Sequence, residues 1–254
     1  MTLGAALLIG ILLACLLAWC WQRRYRNGGY ADVLWSAGVG VLGLIWLVTG
    51  EGALAPRLAA AVLLLFWSLR LSWHIWRRVH GHQEEGRYQA MRHRAERHIE
   101  VLLLAFFLAQ GLLAWLFALP HSLIASHPGG NLYWLAGLLL GIVAISAEAL
   151  ADAQLAAFRA DPANRGYTCR QGLWRYSRHP NYFFEWLHWF AYPLIALGAD
   201  GAGWLWLAPL CMLLFLWFVT GIPFTEQQAL RSRGEDYRRY QRTTSMFFPW
   251  RPGT

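Results

Sequence analysis

Ionisable side chains recur at helical spacing inside otherwise apolar stretches of this 254-residue chain. The first set, with spacing i, i+4, i+11, is Glu148, Asp152 and Arg159. The second, with spacing i, i+4, i+7, is Asn181, Glu185 and His188. At about 3.6 residues per turn, each set occupies one face of a helix. A charged side chain at membrane depth is costly and by default faces a bundle interior or a cavity. The two faces therefore predict a polar binding site among helices.

Arginine, carboxylate, tyrosine and amide side chains together suit an anionic ligand of the nucleotide type. Arginine binds phosphate through a bidentate fork, and a carboxylate can accept hydrogen bonds from ribose hydroxyls. The glycine-rich phosphate loops of soluble nucleotide-binding folds are not found in the sequence, and no strands are predicted. Nucleic acid is not expected as a partner, because the basic residues are spread along the flanks of apolar blocks.

The chain that positions these groups is predicted to be an all-α integral membrane protein. Hydrophobic residues make up 57% of it and charged residues only 14%, against about 25% charged in an ordinary globular domain. This composition excludes a soluble enzyme and a disordered chain. A transmembrane helix needs about 20 apolar residues to cross about 30 Å of hydrocarbon. Seven blocks qualify, at 3–21, 33–49, 54–76, 101–119, 132–150, 182–197 and 204–222, of which the sixth is the weakest.

Arginine supplies the whole basic excess and indicates the topology. All of the 22 arginines except Arg57 and Arg70 flank one side of the seven predicted spans. The positive-inside rule then places the N-terminus outside and the C-terminus in the cytoplasm. The cofactor-facing side is predicted to comprise the loops at about 77–99 and 159–180 and the tail 223–254. We expect one membrane domain over 1–254, with the lipid bilayer around it and no obligate protein partner.

The cysteines and histidines match no metal or disulfide pattern. The four cysteines lack zinc-site spacing. One loop contains His80, His82, His93 and His98, which raises the alternative of a di-iron desaturase or hydroxylase. Such sites need boxes of the HxxxH or HxxHH type, and none is present. We therefore predict no metal and interpret this loop as a solvated surface.

Several motifs in the second half of the chain resemble those of membrane proteins related to the steroid 5-alpha-reductases. The main one is GLWRYSRHPNYFFEW at 172–186, and it is followed by GIPFTE at 221–226, GEDYRRY at 234–240 and TTSMFFP at 243–249. Upstream, residues 148–159 and 85–88 are similar too. The chain most resembles the bacterial branch of that family, whose members mostly lack an assigned substrate. A bacterial inner-membrane location follows from this resemblance.

The resemblance implies a seven-helix bundle that binds NADPH from the cytoplasmic side. It would reduce a carbon–carbon double bond conjugated to a carbonyl, in an apolar, lipid-like small molecule. Asn181 and Glu185 would hold the nicotinamide end, and Glu226 with Tyr240 would close the pocket. Ribose and phosphates would be handled by Asp152, Arg159, Tyr167 and Arg178. The remaining predicted cofactor-binding residues are Glu148, His179 and Tyr182.

The substrate end departs from the steroid-reducing members of that family. Those members carry a Gln-Glu pair in the second helix and a tyrosine before the arginine of the third helix. Here the second span begins with Asp32 and Trp35, and Trp67 stands near the tyrosine position. We therefore predict Asp32 and Tyr88 as catalytic residues, with Trp35 and Trp67 as substrate-binding residues. The predicted substrate is lipid-like and includes steroid-like molecules, although these departures count against a steroid.

Two other functions remain open on the sequence. Membrane methyltransferases of the isoprenylcysteine or phospholipid type share an Arg-His-Pro-x-Tyr segment and a later glutamate, and they bind S-adenosylmethionine. Residues 181–185 and the polar face at 148–159 favour the reductase over that alternative. A non-catalytic membrane protein that retains the cofactor pocket is the second alternative, because the substrate end is where the match is weakest.

Overall fold

The computed structural model describes residues 2–84, 86–219 and 221–253, and over these ranges the chain is helical with no β-strand. The helices are α1 (Leu3–Tyr25), α2 (Tyr30–Thr49), α3 (Leu54–Val79), α4 (Gly86–Ala95), α5 (Ile99–Ala118), α6 (Pro120–Ala125), α7 (Tyr133–Ala160), α8 (Pro180–His188), α9 (Ala191–Ile195), α10 (Leu207–Leu214) and α11 (Ile222–Thr243). The all-α class predicted from the sequence is confirmed.

Within the described residues, six helical stretches are long and apolar enough to cross a membrane: Leu3–Tyr25, Tyr30–Thr49, Leu54–Val79, Ile99–Ala125, Tyr133–Ala160 and Ala202–Thr243. Many large apolar side chains on these stretches face outward, and Leu17 and Val48 are each 73% exposed. Such surfaces are stable in hydrocarbon and unfavourable in water. The chain is therefore a multi-pass membrane protein.

The predicted sixth span, 182–197, is not one long helix. It is divided into α8 and α9, and the helical pattern is interrupted around Trp189 and Phe190. Pro193 gives the physical reason, since proline has no N–H to bond the carbonyl one turn earlier and its ring clashes there. Neither piece reaches the length of a membrane span by itself.

The last apolar stretch changes its type of helix along its length. It begins with a 3₁₀ segment at Ala202–Trp206, continues as α10, and ends in a π-helical turn at Phe215–Val219. Beyond it, α11 is polar and carries eight charged residues between 223 and 243, so we treat α11 as lying outside the membrane. A kink at Gly234, where φ is 51° and ψ is −121°, divides α11 into two parts.

The chain divides into two compact units. The N-terminal unit comprises residues 1–134 with 195–202, and the C-terminal unit comprises residues 135–194 with 203–254. In the N-terminal unit, α2 packs against α3 at very short range. A Cβ on Gly40 would stand 2.0 Å from the Ser68 hydroxyl, so only glycine permits this approach.

The C-terminal unit has a long helix, α7, on which the following loop is fastened. The Trp174 indole donates to the Ala151 carbonyl at 2.8 Å, and the Leu173 N–H donates to the Gln154 side chain at 2.9 Å. Gly172 lies against Gln154 with a φ of 55°, a conformation that favours glycine. The loop therefore leads directly from α7 into the start of α8.

Candidate functional site

In the C-terminal unit, the two polar faces predicted from sequence spacing meet. The Asn181 amide, in the first turn of α8, donates to the Asp152 carboxylate of α7 at 3.1 Å. The two residues are separated by 29 positions in the chain. Neither side chain is fully buried, so the pair stands at a surface of this unit that a ligand can reach. The spacing argument placed each residue on a polar helix face, and the contact between the two faces is a finding of the structure.

Further ionisable groups of the same faces are buried. Glu148 is 4% exposed and Glu185 is 6% exposed. The Glu185 carboxylate accepts a hydrogen bond from the Trp189 indole at 3.0 Å. One turn on, His188 and Tyr192 are fully buried and hydrogen-bond to each other at 2.9 Å. The predicted polar face therefore extends to the end of α8 at His188, and the structure adds Tyr192 of α9 to it.

Glu226 is the centre of a hydrogen-bond network at the start of α11. Its Oε1 accepts from Arg178 Nε at 2.9 Å, from His179 Nε2 at 2.9 Å and from the Tyr237 hydroxyl at 2.7 Å. Its Oε2 accepts from Arg178 Nη2 at 3.3 Å and from the Gln241 amide. Protein donors therefore occupy both oxygens of this carboxylate.

Arg178 also bonds the chain beyond α11. Its Nη1 donates to the Gln241 and Thr244 carbonyls, each at 3.0 Å, and its own N–H donates to the Ser245 carbonyl at 2.8 Å. These bonds engage most of the guanidinium donors. Binding of a phosphate by Arg178 remains a prediction, and in this structure its side chain fastens the C-terminal tail.

The tail pairs with the segment that precedes α8. The Ser177 hydroxyl donates to the Phe247 carbonyl at 2.8 Å, and the Trp250 N–H donates to the Tyr176 carbonyl at 2.9 Å. The Tyr240 hydroxyl bonds the Trp174 and Ser177 carbonyls. Tyr240 was predicted to close a cofactor pocket; it is 2% exposed, and its hydroxyl holds this loop.

Sequence reasoning did not identify the other members of this network. Tyr237 and Gln241 bond Glu226, and Ser177 joins the tail to the His179 N–H at 3.1 Å. The spacing of Glu226, Tyr237 and Gln241 crosses the kink at Gly234, so helical periodicity does not relate them. The available signal was compositional: polar residues capable of hydrogen bonding cluster just after the last apolar stretch.

Burial and hydrogen bonding shift the pKa values of Glu226 and His179 in this network. Burial alone would raise the pKa of Glu226, but the hydrogen bonds from His179, Tyr237, Gln241 and Arg178 outweigh it and lower that pKa to about 2. Burial lowers the pKa of His179, and its bond to Glu226 only partly offsets this. The network is therefore stable with Glu226 ionised and His179 neutral.

These pKa shifts predict that the C-terminal unit loses stability on acidification in two stages. The unfolded chain takes up a proton on His179 below its ordinary pKa of 6.5, whereas the folded chain does so only at lower pH. The Glu226 contribution is lost as pH falls from about 4.5 toward 2. Thermal unfolding in detergent should therefore show a stability loss below pH 6.5 that His179→Gln reduces. Identical pH profiles for the two proteins would contradict this account.

The loop at 159–180 contains the remaining predicted cofactor residues. Arg159 is exposed in the last turn of α7, and Tyr167 is 62% exposed. The next residues are fastened to α11, because Asp236 accepts from the Thr168 N–H at 2.8 Å and from Arg170 at 2.8 Å. The last two predicted residues, His179 and Tyr182, stack with their rings 5.4 Å apart.

In the N-terminal unit, the two predicted catalytic residues are in contact. The Tyr88 hydroxyl donates to Asp32 at 3.1 Å, and the Gln110 amide donates to the other carboxylate oxygen at 3.3 Å. Tyr88 is fully buried although it lies on the short, polar helix α4. Asp32, in the first turn of α2, is half-buried. Three separate helices, α2, α4 and α5, thus contribute side chains to one polar cluster.

The predicted substrate-binding tryptophans are also in contact. The rings of Trp35 and Trp67 meet edge to face with centroids 5.8 Å apart, and Trp35 meets Phe117 in the same way at 5.9 Å. Trp35 follows Asp32 by three residues, so the aromatic cluster lies one helical turn from the carboxylate on α2. A polar group beside aromatic rings suits a ligand with one polar end and an apolar body.

A salt bridge and a hydrogen bond, both made by Glu84, hold α4 and its residue Tyr88 in place. Arg92 Nε donates to Glu84 at 2.7 Å, and the same carboxylate accepts the Gly28 N–H at 2.7 Å. Gly28 has no room for a side chain, because a Cβ there would stand 2.5 Å from the Tyr88 ring. Glu85, the first residue of the motif at 85–88, lies outside the described residues.

Comparison with known proteins identifies one family. No curated protein and no solved structure matches the chain. The matching family model, described as "Protein of unknown function (DUF1295)", covers residues 18–244. This range includes both polar groups, Asp152 with Asn181 and Asp32 with Tyr88, and the network around Glu226. Because the match extends over most of the sequence, the chain belongs to the DUF1295 family.

Proposed function

We propose that the protein is an NADPH-dependent membrane oxidoreductase, similar to the steroid 5-alpha-reductases, that reduces a double bond conjugated to a carbonyl in a lipid-like molecule. One observation carries the proposal: the bond between Asn181 and Asp152 joins the two polar faces beside buried Glu148 and Glu185. Carboxylates at these buried positions are not required for helix packing, because each carboxylate is costly to bury.

The residues around this bond fit the parts of NADPH. Asn181 uses one N–H on Asp152; its amide oxygen has no other partner among the described residues and can accept from a carboxamide such as that of nicotinamide. Asp152 can accept from ribose hydroxyls. Arg159 is exposed and can bind a phosphate. Glu226 and Arg178 fit less well as direct ligands, because they already bond each other and the tail.

The proposed chemistry needs a hydride and a proton. NADPH, when bound, supplies the hydride to the β-carbon of the conjugated double bond. Negative charge then develops on the carbonyl oxygen, and a positioned hydrogen-bond donor stabilises it. Tyr88 is the candidate donor. In the structure the Tyr88 hydroxyl donates to Asp32, and a substrate carbonyl would accept the same hydrogen in its place. A proton from water, added at the α-carbon, would complete the reduction.

We also propose the seven-span topology, with the N-terminus outside and the C-terminus in the cytoplasm. Hydrogen bonds join residues 174–178 to residues 226–250, which supports placing both segments on the same side of the membrane. The chain between them must then cross an even number of times. The apolar stretch that contains α10 provides one crossing, so α8 and α9 together would provide the other.

The experiment that tests this function is a titration of NADPH and of S-adenosylmethionine into the detergent-purified protein. We expect saturable binding of NADPH, and a Kd at least about tenfold higher in Asn181→Ala, because the variant lacks the amide that would hydrogen-bond the nicotinamide carboxamide. Asn131→Ala is the matched control: it also removes an amide, which bonds the Leu197 carbonyl at 2.8 Å within the N-terminal unit. Its NADPH affinity should equal that of the wild type.

The other outcomes of this titration each decide between functions. Binding of S-adenosylmethionine without NADPH would reject the reductase and support a methyltransferase. Binding of neither would reject the cofactor pocket. If NADPH binds, a screen of conjugated enones for NADPH oxidation should find a substrate, and failure across apolar enones would support a protein that keeps the pocket without the reaction.

A further inference from the structure

The ends of α1 and α3 form an exposed basic surface in the N-terminal unit. The surface contains Arg23, Arg24, Arg26, Arg77 and Arg78, and we call it the arginine surface. Side-chain contacts bring the two helix ends together. The Asn27 amide donates to the Val79 carbonyl at 3.0 Å, and the rings of Tyr25 and His80 have centroids 5.9 Å apart. Two pairs of adjacent arginines therefore lie at two helix ends that are in contact.

Carboxylates neutralise little of this charge. Across residues 2–84, 86–219 and 221–253, no salt bridge involves Arg24, Arg26 or Arg77. The nearby Glu84 is committed to Arg92 and to the Gly28 N–H. Glu100 approaches Arg23 at 3.7 Å but also accepts from Gln22 at 3.0 Å. The surface therefore presents a net positive charge.

Exposed aromatic rings accompany the arginines. Trp21 is 46% exposed, Tyr25 is 47% exposed and Trp73, one turn before Arg77, is 62% exposed. The guanidinium of Arg23 lies 5.0 Å from the Trp19 ring, and that of Arg24 lies 5.9 Å from the Tyr25 ring. Tryptophan and tyrosine favour the headgroup level of a membrane, so this part of the unit matches the depth at which lipid phosphates lie.

We propose that the arginine surface binds the phosphate groups of anionic phospholipids in the surrounding bilayer. The positive-inside rule accounts for arginines at a helix end, but it does not require two such helix ends to be in contact beside exposed aromatic rings. This contact allows one phosphate to be shared by arginines of α1 and α3, each through a fork of two N–H donors. A negative headgroup is retained and a zwitterionic one is not, because the ammonium group of the latter is repelled.

Native mass spectrometry of the detergent-purified protein tests this inference. Dioleoyl-phosphatidylglycerol and dioleoyl-phosphatidylcholine are added separately at equal concentration. We expect the wild type to retain several times more of the phosphatidylglycerol. The double variant Arg24→Gln with Arg77→Gln should reduce that retention at least about fivefold, because each arginine near an anionic surface contributes severalfold to binding.

The control removes two arginines that already have a carboxylate partner. Arg238 and Arg242 lie 3.6 and 2.6 Å from Glu235 on α11, and their replacement by glutamine should leave the lipid preference unchanged. Equal retention of the two lipids by the wild type would overturn the inference, as would an unchanged preference in the double variant. Should the double variant fail to fold, Arg24→Gln and Arg77→Gln tested singly must each reduce retention.

Discussion

Replacing Glu226 with glutamine should lower the free energy of unfolding by about 3 kcal/mol, because it leaves the guanidinium of Arg178 without its counter-charge. Both side chains are nearly buried, with 13% and 11% of their surface exposed. Glutamine also presents an N–H₂ group where the carboxylate accepts from His179 and Tyr237. Thermal unfolding in detergent, followed by circular dichroism, measures the loss.

The control for this variant lies on the same helix. Glu235 is 59% exposed and pairs only with exposed Arg238 and Arg242. An exposed ion pair contributes between about 0 and 1 kcal/mol, so Glu235→Gln should unfold within a degree or two of the wild type. Equal losses in the two variants would show that Glu226 does not hold the structure together as its bonds suggest.

The Glu226 variant also separates a structural role from direct cofactor binding. In the structure Glu226 bonds Arg178 and His179, which immediately precede α8 and the Asn181 side chain. If it acts through them, Glu226→Asp, which keeps the charge, should recover part of the NADPH affinity together with part of the stability. An NADPH affinity that falls in a variant of unchanged stability would instead support direct contact with the cofactor.

Phe247→Ala should cost about 3 to 4 kcal/mol of stability, the usual loss for a buried phenylalanine. Phe247 is 1% exposed, and its ring lies within 6 Å of the rings of Phe183, Trp186 and Trp217. The same residue accepts the Ser177 hydroxyl bond through its carbonyl. Loss of the ring should therefore release the tail from the segment before α8, and NADPH binding should weaken with it.

Phe248 provides a matched control in the adjacent position. Its ring also meets those of Phe183 and Trp186, but it is 49% exposed. Phe248→Ala should cost less than about 1 kcal/mol of stability, because the Phe248 ring buries much less apolar surface than the Phe247 ring. Hydrogen exchange at residues 176–178 should be faster in Phe247→Ala than in Phe248→Ala. Equal exchange rates would show that the tail is held by its backbone bonds alone.

Helical periodicity related some residues of the candidate site to one another, and their role in binding stays a prediction. The i, i+4 relation within α7 and the i, i+4, i+7 relation within α8 placed Asp152 and Asn181 on polar faces, and the two side chains are in contact. Asp32 and Tyr88, which were predicted separately as catalytic residues, are also in contact. The sequence did not predict this contact, since no periodicity relates residues on α2 and α4, and the catalytic role of both residues stays a prediction.

The division of the predicted sixth span shows a limit of the hydropathy argument. Residues 182–197 are apolar enough to be considered a span, yet Pro193 and the buried polar groups of α8 interrupt the helix. Hydropathy averages over a window and so reports where a segment is soluble in hydrocarbon. It does not report whether the backbone hydrogen bonds continue through that segment.

By itself, the sequence determined the chemical environment of this protein: a helical, multi-pass chain with polar groups confined to particular faces. Those properties follow from local composition and from the 3.6-residue period. Only the tertiary structure decided the partners of Glu226, Arg178 and Tyr240, which were predicted as ligands of a cofactor and which bond the C-terminal tail and its neighbouring loop. The physical reason is that a hydrogen bond between residues 48 to 66 positions apart depends on how the helices pack, and no local pattern records it.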